Sequence, residues 1–346
     1  MRVERENMTV NVLYQFNEAY VVFAGVSMTS LYENNRDVEE LNTYILAENV
    51  SEKSKNELIE NARKYGRELV FFETEKLVDY MKKVGIPPYR NSYATNMKMF
   101  IPQFLSEDIE RLLYIDSDTI IKGSIKLFYE MNMYGKPIAM GLDSLGDKHK
   151  IYIGLNETDD YYNAGIILYD MKQWREQQCT EKIVYHVKNV RAHYMSPDQD
   201  LLNIVFRKNI CRFDLRYNLQ PHHMIYSPKQ MNCFFKQKNY YTDEEVRKAA
   251  DSPVIIHSFR FLGEFPWHFN NVHPAKEMFD RYIGLSQWKE YERKVTEQNS
   301  IVFKVERILY RILPKTIFLF LFKMSYERFI YNASRASEKQ ENVSEM

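Results

Sequence analysis

Short apolar runs in the first third of the chain alternate with longer stretches of helical spacing. The runs are Val10–Tyr14, Thr43–Ala47 and Leu69–Phe72. Each predicts a buried strand, whereas 23–34 and 51–65 predict helices, the second with Ser51 as its N-cap. Strands that alternate with helices predict an α/β fold, in which a mainly parallel, twisted sheet is covered by helices on both faces. After Pro87 and Pro88, a further helix is predicted over 93–104.

A fourth apolar run, Leu112–Ile115, ends in two aspartates separated by one residue. In an extended chain Asp116 and Asp118 point to one side and Ser117 to the other. The apolar pair 120–121 predicts that the strand continues beyond them. Neighbouring carboxylates repel and raise each other's pKa, a cost that a divalent cation removes. The alternative is an Asx turn that closes the strand.

Composition narrows the classes of protein that remain. The 346 residues include 47 Lys+Arg and 47 Asp+Glu, a balance that argues against a nucleic-acid-binding protein. The three cysteines lack metal-site spacing and fit reduced thiols in a cytoplasm. The N-terminus has no apolar signal-peptide core, and no apolar stretch is long enough to span a membrane. We therefore expect a cytoplasmic protein.

Four later segments place polar side chains beside apolar runs. They are GLDSLGD (141–147), DDYYNAGIILYDMKQWRE (159–176), SPDQDLLNIVF (196–206) and PVIIHSFRFLGEFPW (253–267). Together with LLYIDSDTII (112–121), these segments resemble the motifs of glycosyltransferase family 8 and follow that family's order. The resemblance extends from Val10 to Trp288, and it implies a retaining nucleotide-sugar transferase of the GT-A fold.

The resemblance implies a metal site at the acidic pair. Asp116 and Asp118 would bind Mn²⁺ or Mg²⁺, with His257 as the third protein ligand. Such an ion neutralises the charge that builds on the nucleoside diphosphate as the sugar–oxygen bond breaks. An imidazole beside two carboxylates favours Mn²⁺ over Mg²⁺. Considered by itself, His257 also fits a core histidine that is hydrogen-bonded to the backbone.

The resemblance also implies which residues surround the reacting carbon. Asp143, Asn163, Asp198 and Gln199 align with positions that contact the transferred sugar and the reacting centre. Gln199 matches the residue beneath the anomeric carbon, and an amide is a poor nucleophile, unlike the carboxylates of retaining hydrolases. We therefore expect a front-face displacement, in which a leaving-group phosphate oxygen accepts the acceptor's proton. The alternative role of Asp198 and Asp200 is helix capping, which we expect of Asp200.

The nucleotide-sugar donor has its own set of expected contacts. They are Tyr14, Asn17, Tyr20, Lys98, Asp116, Ser117, Asp118 and Gly263. Lys98 falls where relatives carry a basic residue that holds the donor nucleotide or its phosphates. The alternative is an ordinary solvated lysine on a helix.

Two positions depart from the family pattern. In YQFNEAY (14–20), Asn17 stands where an Asp is usual and Ala19 where an Asn is common, which leaves recognition of uracil open. Phe265 occupies the place of a usual Lys, so one diphosphate contact is missing. Arg260 or His268 would have to replace it.

The C-terminal stretch 301–331 is rich in aromatic residues and contains six basic and two acidic residues. Pro314 predicts a break between two short helices. The pattern is typical of a helix at a membrane surface, which would suit a lipid-linked glycan acceptor. The alternative is a helix packed on the catalytic domain through Ile308, Leu309 and Ile312. The predicted organisation is a GT-A catalytic domain (1–290), a membrane-associating helical tail (291–331) and a disordered end (332–346).

These observations favour a metal-dependent retaining hexosyltransferase. It would move galactose or glucose from a UDP-sugar to a glycan or lipid-linked glycan at the inner face of the cell membrane. One alternative is a haloacid-dehalogenase-type Mg²⁺-dependent phosphatase with Asp116 as its nucleophile, although that motif normally opens its domain. Another is a nucleotide-sugar-binding protein without turnover.

Overall fold

The computed structural model describes residues 8–323 apart from 90, 91, 145, 146, 191–193, 195, 236–238 and 299. The predicted disordered end, 332–346, and the last part of the predicted tail, 324–331, lie outside the described residues. At 147, 148 and 232–235 the description covers the backbone and not the side chains.

Strands and helices alternate from the start of the described chain, as predicted. The strands are Thr9–Asn17 (β1), Glu40–Glu48 (β2), Leu69–Phe71 (β3), Arg111–Ile115 (β4), Thr119–Ile121 (β5), Ile138–Leu142 (β6), Tyr162–Asp170 (β7), Ile210–Arg212 (β8) and Ile255–His257 (β9). The helices are Val21–Asn34 (α1), Glu52–Arg63 (α2), Thr74–Val84 (α3), Ala94–Met97 (α4), Lys126–Tyr129 (α5), Asp147–Tyr152 (α6), Met171–Glu176 (α7), Cys179–Asn189 (α8), Pro197–Val205 (α9), Pro228–Phe235 (α10), Asp243–Asp251 (α11), Lys276–Leu285 (α12), Ile301–Ile312 (α13) and 315–323 (α14). Ser51 caps α2 by accepting the N–H of Ser54 at 3.2 Å, which confirms that prediction.

A seven-stranded sheet forms the centre of the molecule, in the order β3-β2-β1-β4-β7-β6-β8. β3, β2, β1 and β4 are parallel, whereas β7 runs antiparallel to both of its neighbours, β4 and β6. Both faces are buried: Leu112 and Tyr114 belong to the core on one side, Leu113 and Ile115 to the core on the other. Because strand residues alternate between faces, a strand covered on both sides needs a continuous apolar run. The mainly parallel α/β sheet is confirmed.

The predicted continuation of β4 through Ile120 and Ile121 is wrong. The chain turns after Ile115, and β5 instead pairs antiparallel with β9 in a separate two-stranded sheet. The turn is held where Thr119 Oγ1 donates to the carbonyl of Asp116 at 2.8 Å. Thr119 lies opposite His257 in the pairing, so leaving the main sheet brings this histidine beside the acidic pair.

The helix predicted over 93–104 is only partly formed. It is divided into α4 and a 3₁₀ helix at Ile101–Gln103. The N–H of Lys98 donates to Gln15 Oε1 at 2.9 Å, and Pro102 has no N–H to continue an α-helical ladder. The interruption directs Lys98 toward the carboxyl end of the sheet.

The C-terminal helices pack on the loop that follows β9. α13 and α14 are separated at Leu313 and Pro314, as predicted. Arg307 donates to the carbonyl of Leu262 at 3.2 Å and lies 3.4 Å from the Glu264 carboxylate. Phe318 of α14 is buried against Phe261 and Leu262. The packing alternative therefore accounts for one face of the tail.

The opposite face of α13 and α14 is exposed and apolar. Leu309 packs inward, whereas Ile308 and Ile312 are 55% and 68% exposed, so the packing alternative holds for Leu309 but not for these two isoleucines. The other exposed apolar residues of these helices are Ile301, Val302, Val305, Ile317, Phe320 and Leu321. Within the described ranges, no helix has both the length and the apolarity needed to cross a membrane.

Candidate active site

Two carboxylates and one imidazole meet at the carboxyl end of β4. His257 Nε2 lies 3.2 Å from Asp118 Oδ1 and 3.6 Å from Asp116 Oδ2. Adjacent ligands of an octahedral ion with bonds of about 2.1 Å are separated by about 3 Å. The three side chains therefore fit a divalent cation with oxygen and nitrogen ligands, as the sequence predicts. The structure places His257 at this site rather than in a backbone-bonded core position.

Asn163 determines which nitrogen of His257 faces the aspartates. Its Oδ1 accepts the N–H of Gly165 at 3.0 Å and the Nδ2 of Asn218 at 3.0 Å. The same oxygen lies 3.1 Å from His257 Nδ1, which must therefore carry a hydrogen and donate. The neutral ring then presents the lone pair of Nε2 to the acidic pair, which is the tautomer a metal ligand needs.

Gly165 leaves room for the histidine. The N–H of Asp116 donates to the Gly165 carbonyl at 2.8 Å, so β7 passes directly beside the acidic pair. A Cβ at this position would lie 2.1 Å from Cε1 of His257 and 2.9 Å from Oδ2 of Asp116. The glycine of the Asn-Ala-Gly segment is thus required by space.

When no metal is bound, the two carboxylates favour the protonated, positively charged form of His257. Burial opposes charge on His257, but the Asp118 and Asp116 carboxylates raise its pKa above the ordinary value. Burial is also the main reason why the pKa of Asp116 is raised. Because a metal binds the deprotonated groups, its binding would release protons from this cluster.

Lys98 is buried in the same cleft, and the solvated-lysine alternative is wrong. Its Nζ lies 2.6 Å from Asp198 Oδ2 and 3.8 Å from Asp116 Oδ1, and it donates to the carbonyl of Ala164 at 3.0 Å. Burial alone would lower its pKa, but the carboxylates of Asp116 and Asp198 raise it above the ordinary value. Asp198 therefore pairs with a lysine, whereas Asp200 caps α9 as predicted, since its Oδ2 accepts the N–H of Ser196 at 3.1 Å.

Gln199 is held by hydrogen bonds on both ends of its amide. Its Oε1 accepts the backbone N–H of Ala164 at 3.0 Å, and its Nε2 donates to Asp143 Oδ2 at 3.2 Å. Asn163 Nδ2 donates to the same oxygen of Asp143 at 2.8 Å. The structure therefore brings together Asp143, Asn163 and Gln199, as expected for residues around one reacting centre.

Tyr161 belongs to this group and was missed from the sequence. Its hydroxyl accepts from Gln199 Nε2 at 3.0 Å and donates to Asp200 Oδ1 at 2.5 Å. His149 Nε2 lies 2.8 Å from the same oxygen. Tyr161 precedes Asn163 by two residues, and this spacing places both on one side of an extended chain, a signal that could have identified it.

A cleft of about 450 Å³ opens over these residues. The expected residues that line it are Asn17, Tyr20, Lys98, Asp116, Ser117, Asp118, Asn163, Asp198, Gln199 and His257. Two expected donor contacts do not lie there. Tyr14 points into the core, where its hydroxyl is 3.1 Å from Ser27 Oγ. Gly263 lies under the tail, and its carbonyl accepts from Thr296 Oγ1 at 2.7 Å.

The position of the missing lysine is occupied by an aromatic stack. Phe265 stacks on Trp267 with ring centroids 4.2 Å apart, and Arg260 lies over Phe265 at 4.9 Å. Burial lowers the pKa of His268 to about 4, so this side chain is neutral. Of the two suggested replacements, Arg260 is the one that keeps a positive charge.

The seven-stranded sheet, with the acidic pair at the carboxyl end of β4, has the GT-A fold. The bifunctional glycosyltransferase WbbM has a similar fold, with a TM-score of 0.68 and 20% identity over 83% of this chain, which spans 51% of that one. The galactosyltransferase LgtC, solved with donor and acceptor sugar analogs, has a TM-score of 0.62 and 19% identity over 80% of this chain and 96% of LgtC. At these identities the likeness shows the fold alone.

The family follows from the sequence comparison. The model of glycosyl transferase family 8 matches residues 11–271, so the chain belongs to this family and is a hexosyltransferase. General stress protein A of Bacillus subtilis is 23% identical over 82% of this chain and 96% of that protein. Lipopolysaccharide 1,2-glucosyltransferase of Escherichia coli K12 is 24% identical over 81% of this chain and 79% of that protein. Lipopolysaccharide 1,3-galactosyltransferase of Salmonella typhimurium is 25% identical over 80% of this chain and 79% of that protein. Membership decides against the phosphatase and non-catalytic alternatives. Enzymes of this family are generally dependent on a divalent metal.

Proposed function

We propose that the protein transfers galactose or glucose from a UDP-sugar to a glycan or lipid-linked glycan, with retention of configuration, in cell-surface polysaccharide synthesis. The observation that carries the proposal is the contact of one amide, Asn163, with both His257 and Asp143. It joins the candidate metal ligands to the residues expected around the sugar. The lipopolysaccharide transferases among the relatives support an acceptor of this class.

Asp116, Asp118 and His257 would hold Mn²⁺ or Mg²⁺, and the ion would neutralise charge on the departing diphosphate. Lys98, 3.8 Å from Asp116, would add a second positive charge beside the phosphates. Asp143 offers carboxylate oxygens to sugar hydroxyls.

We propose a front-face displacement rather than a covalent intermediate. The Gln199 amide is a poor nucleophile with both ends hydrogen-bonded, and the Asp198 carboxylate is paired with Lys98 at 2.6 Å. The bond from the anomeric carbon to the diphosphate oxygen breaks, and a bond to the acceptor oxygen forms on the same face. The proton of the acceptor hydroxyl passes to the phosphate oxygen that leaves.

A donor screen tests this proposal. Purified protein is incubated with UDP-glucose or UDP-galactose in Mn²⁺, Mg²⁺ or EDTA, and released UDP is measured. We expect release with one UDP-hexose, faster in Mn²⁺ than in Mg²⁺ and absent in EDTA. Equal release in EDTA would contradict metal dependence, and release only from other nucleotide sugars would contradict the choice of donor, which Asn17 and Ala19 leave open.

We also propose that the tail from 291 onward attaches the enzyme to the inner face of the cell membrane. Ile308 and Ile312 lie on an exposed apolar face, and Lys304, Arg311 and Lys315 are exposed on the same two helices. An apolar face with basic neighbours is suited to a surface of anionic lipid.

Sedimentation with vesicles tests the membrane proposal. We expect the protein to sediment with vesicles that contain phosphatidylglycerol and to remain in solution with phosphatidylcholine alone. Ile308→Glu should abolish sedimentation, whereas Ile151→Glu, at a site of matched exposure (54% against 55%), should not. Equal sedimentation of both variants would contradict the proposed attachment through the tail.

A further inference from the structure

A second cavity of about 360 Å³ adjoins the cleft. Asn163, Ser196, Gln199 and His257 line both spaces. Asp143 and Ser144 add polar groups at the shared end. A molecule in the second cavity would therefore reach the centre where Gln199 lies, whereas Asn17 and Tyr20 line the first cleft.

Apolar side chains form most of the remaining wall. They are Tyr226, Phe259, Phe261, Leu262, Leu319 and Phe322. His222 and Arg260 also line this cavity, and Tyr226 carries a hydroxyl, but the other five side chains offer no hydrogen bonds to sugar hydroxyls. An apolar pocket with a few polar groups is typical of sites for ligands that are themselves partly apolar. The second cavity thus combines a polar end suited to a sugar with a wall suited to a hydrocarbon group.

The C-terminal helix supplies part of this wall and holds it in place. Leu319 is buried in a cluster with Tyr226 and Phe322, and Phe322 stacks on Phe318 with ring centroids 5.7 Å apart. Leu321, two residues from Leu319, is 42% exposed on the outer face. One face of α14 therefore lines the cavity, while the other continues the exposed apolar surface of the tail.

We propose that this second cavity is the acceptor site, and that the acceptor is a glycolipid whose alkyl group packs against Leu319 and Phe322. This inference rests on the proposed function and names the acceptor class for the same site. The alkyl chain would leave the cavity beside the exposed apolar face of α14. The tail then acts as a specificity-determining element of the enzyme as well as a surface element.

Simple glycosides serve as probes of this cavity. Octyl and methyl β-glycosides of glucose and galactose are added to the enzyme with its UDP-hexose and Mn²⁺, below the concentration at which the octyl compounds form micelles. The measured quantity is the glycoside concentration at which the change in the rate of UDP release is half-maximal. A bound glycoside can raise this rate by accepting the sugar, or lower it by excluding water from the site. We expect this concentration to be at least about 10-fold lower for an octyl glycoside than for its methyl counterpart.

Two leucines of α14 provide a matched pair of variants. Leu319→Ala should raise the half-effect concentration of the octyl glycoside about 10-fold or more and leave that of the methyl glycoside unchanged. Leu321→Ala, on the outer face, should change neither. UDP release without acceptor reports on the fold, and if Leu319→Ala lowers it, the milder Leu319→Val is measured instead.

The outcomes separate the two proposals. No UDP release by the native protein from either UDP-hexose would overturn the proposed donor and leave nothing for the acceptor site to serve. Release with no preference for octyl over methyl glycosides, or with equal effects of the Leu319 and Leu321 variants, would overturn the acceptor inference alone.

Discussion

Gly165→Ala is the substitution for which the structure gives the most direct expectation. The new Cβ would lie 2.1 Å from Cε1 and 2.6 Å from Nδ1 of His257, against ordinary contacts of 3.4 Å or more. The ring must move by about 1.3 Å, because 3.4 − 2.1 = 1.3. It is buried and bonded to Asn163 at 3.1 Å, so the shift breaks that bond and moves Nε2 away from the acidic pair. Misplacement by about 1 Å costs roughly 100-fold in rate, and loss of a ligand's supporting contact costs about 10–100-fold in metal affinity.

Mn²⁺ binding, measured by electron paramagnetic resonance, and UDP release together form the assay. Gly284→Ala is the control, since a Cβ there meets nothing within 4 Å and alanine favours the helix by about 1 kcal/mol. We expect the control to retain native affinity and rate, while Gly165→Ala loses both. Native Mn²⁺ affinity in Gly165→Ala would refute the claim that His257 must occupy this position to bind the ion.

Three further expectations follow from the same cleft. Lys98→Met leaves the buried Asp198 carboxylate without its partner and should lower the free energy of unfolding by about 3–5 kcal/mol, measured with urea; an unchanged midpoint would contradict the pairing. Tyr161→Phe removes a hydrogen bond from Gln199 and should lower kcat with little change in the donor KM; a change in KM alone would exclude a positioning role. The pKa of His257 is raised above its unfolded value of 6.5, so its protonation stabilises the folded, metal-free protein. This stabilisation is complete at pH values below 6.5 and is lost as the pH rises through the folded pKa. Thermal unfolding in EDTA should therefore show falling stability over that window while Mn²⁺ affinity rises, and the opposite slopes would contradict the assignment.

The sheet could be predicted because its strands carry a strong local signal. A strand such as β4, buried on both faces, is a continuous apolar run, and the aspartates at its end lie where ligands bind in open α/β sheets. The turn at Asp116 could not be predicted in the same way. Ile120 and Ile121 are as apolar as the residues before them, and only the distant pairing with Ile255–His257 shows that they leave the sheet.

Several side-chain positions depend on contacts between distant segments, which the local sequence does not show. Lys98 is flanked by Met97 and Met99, and only the fold shows that Asp198 lies 2.6 Å from its Nζ. Tyr14 shares β1 with the cleft residue Asn17, but strand alternation turns its side chain into the core. The sequence of the tail contains apolar residues for two helix faces, and it does not show which face packs on the enzyme. The packed face is the one that contacts distant residues such as Leu262.

Mn²⁺ binding by Asp118→Ala tests most directly whether the acidic pair holds the metal on which transfer depends. The Asp118 carbonyl accepts both the N–H and the hydroxyl of Ser258, at 2.7 and 2.6 Å, so the backbone keeps its contacts when the carboxylate is removed. We expect a folded protein that neither binds Mn²⁺ in electron paramagnetic resonance nor releases UDP. A folded Asp118→Ala protein with native Mn²⁺ affinity and native UDP release would contradict this expectation.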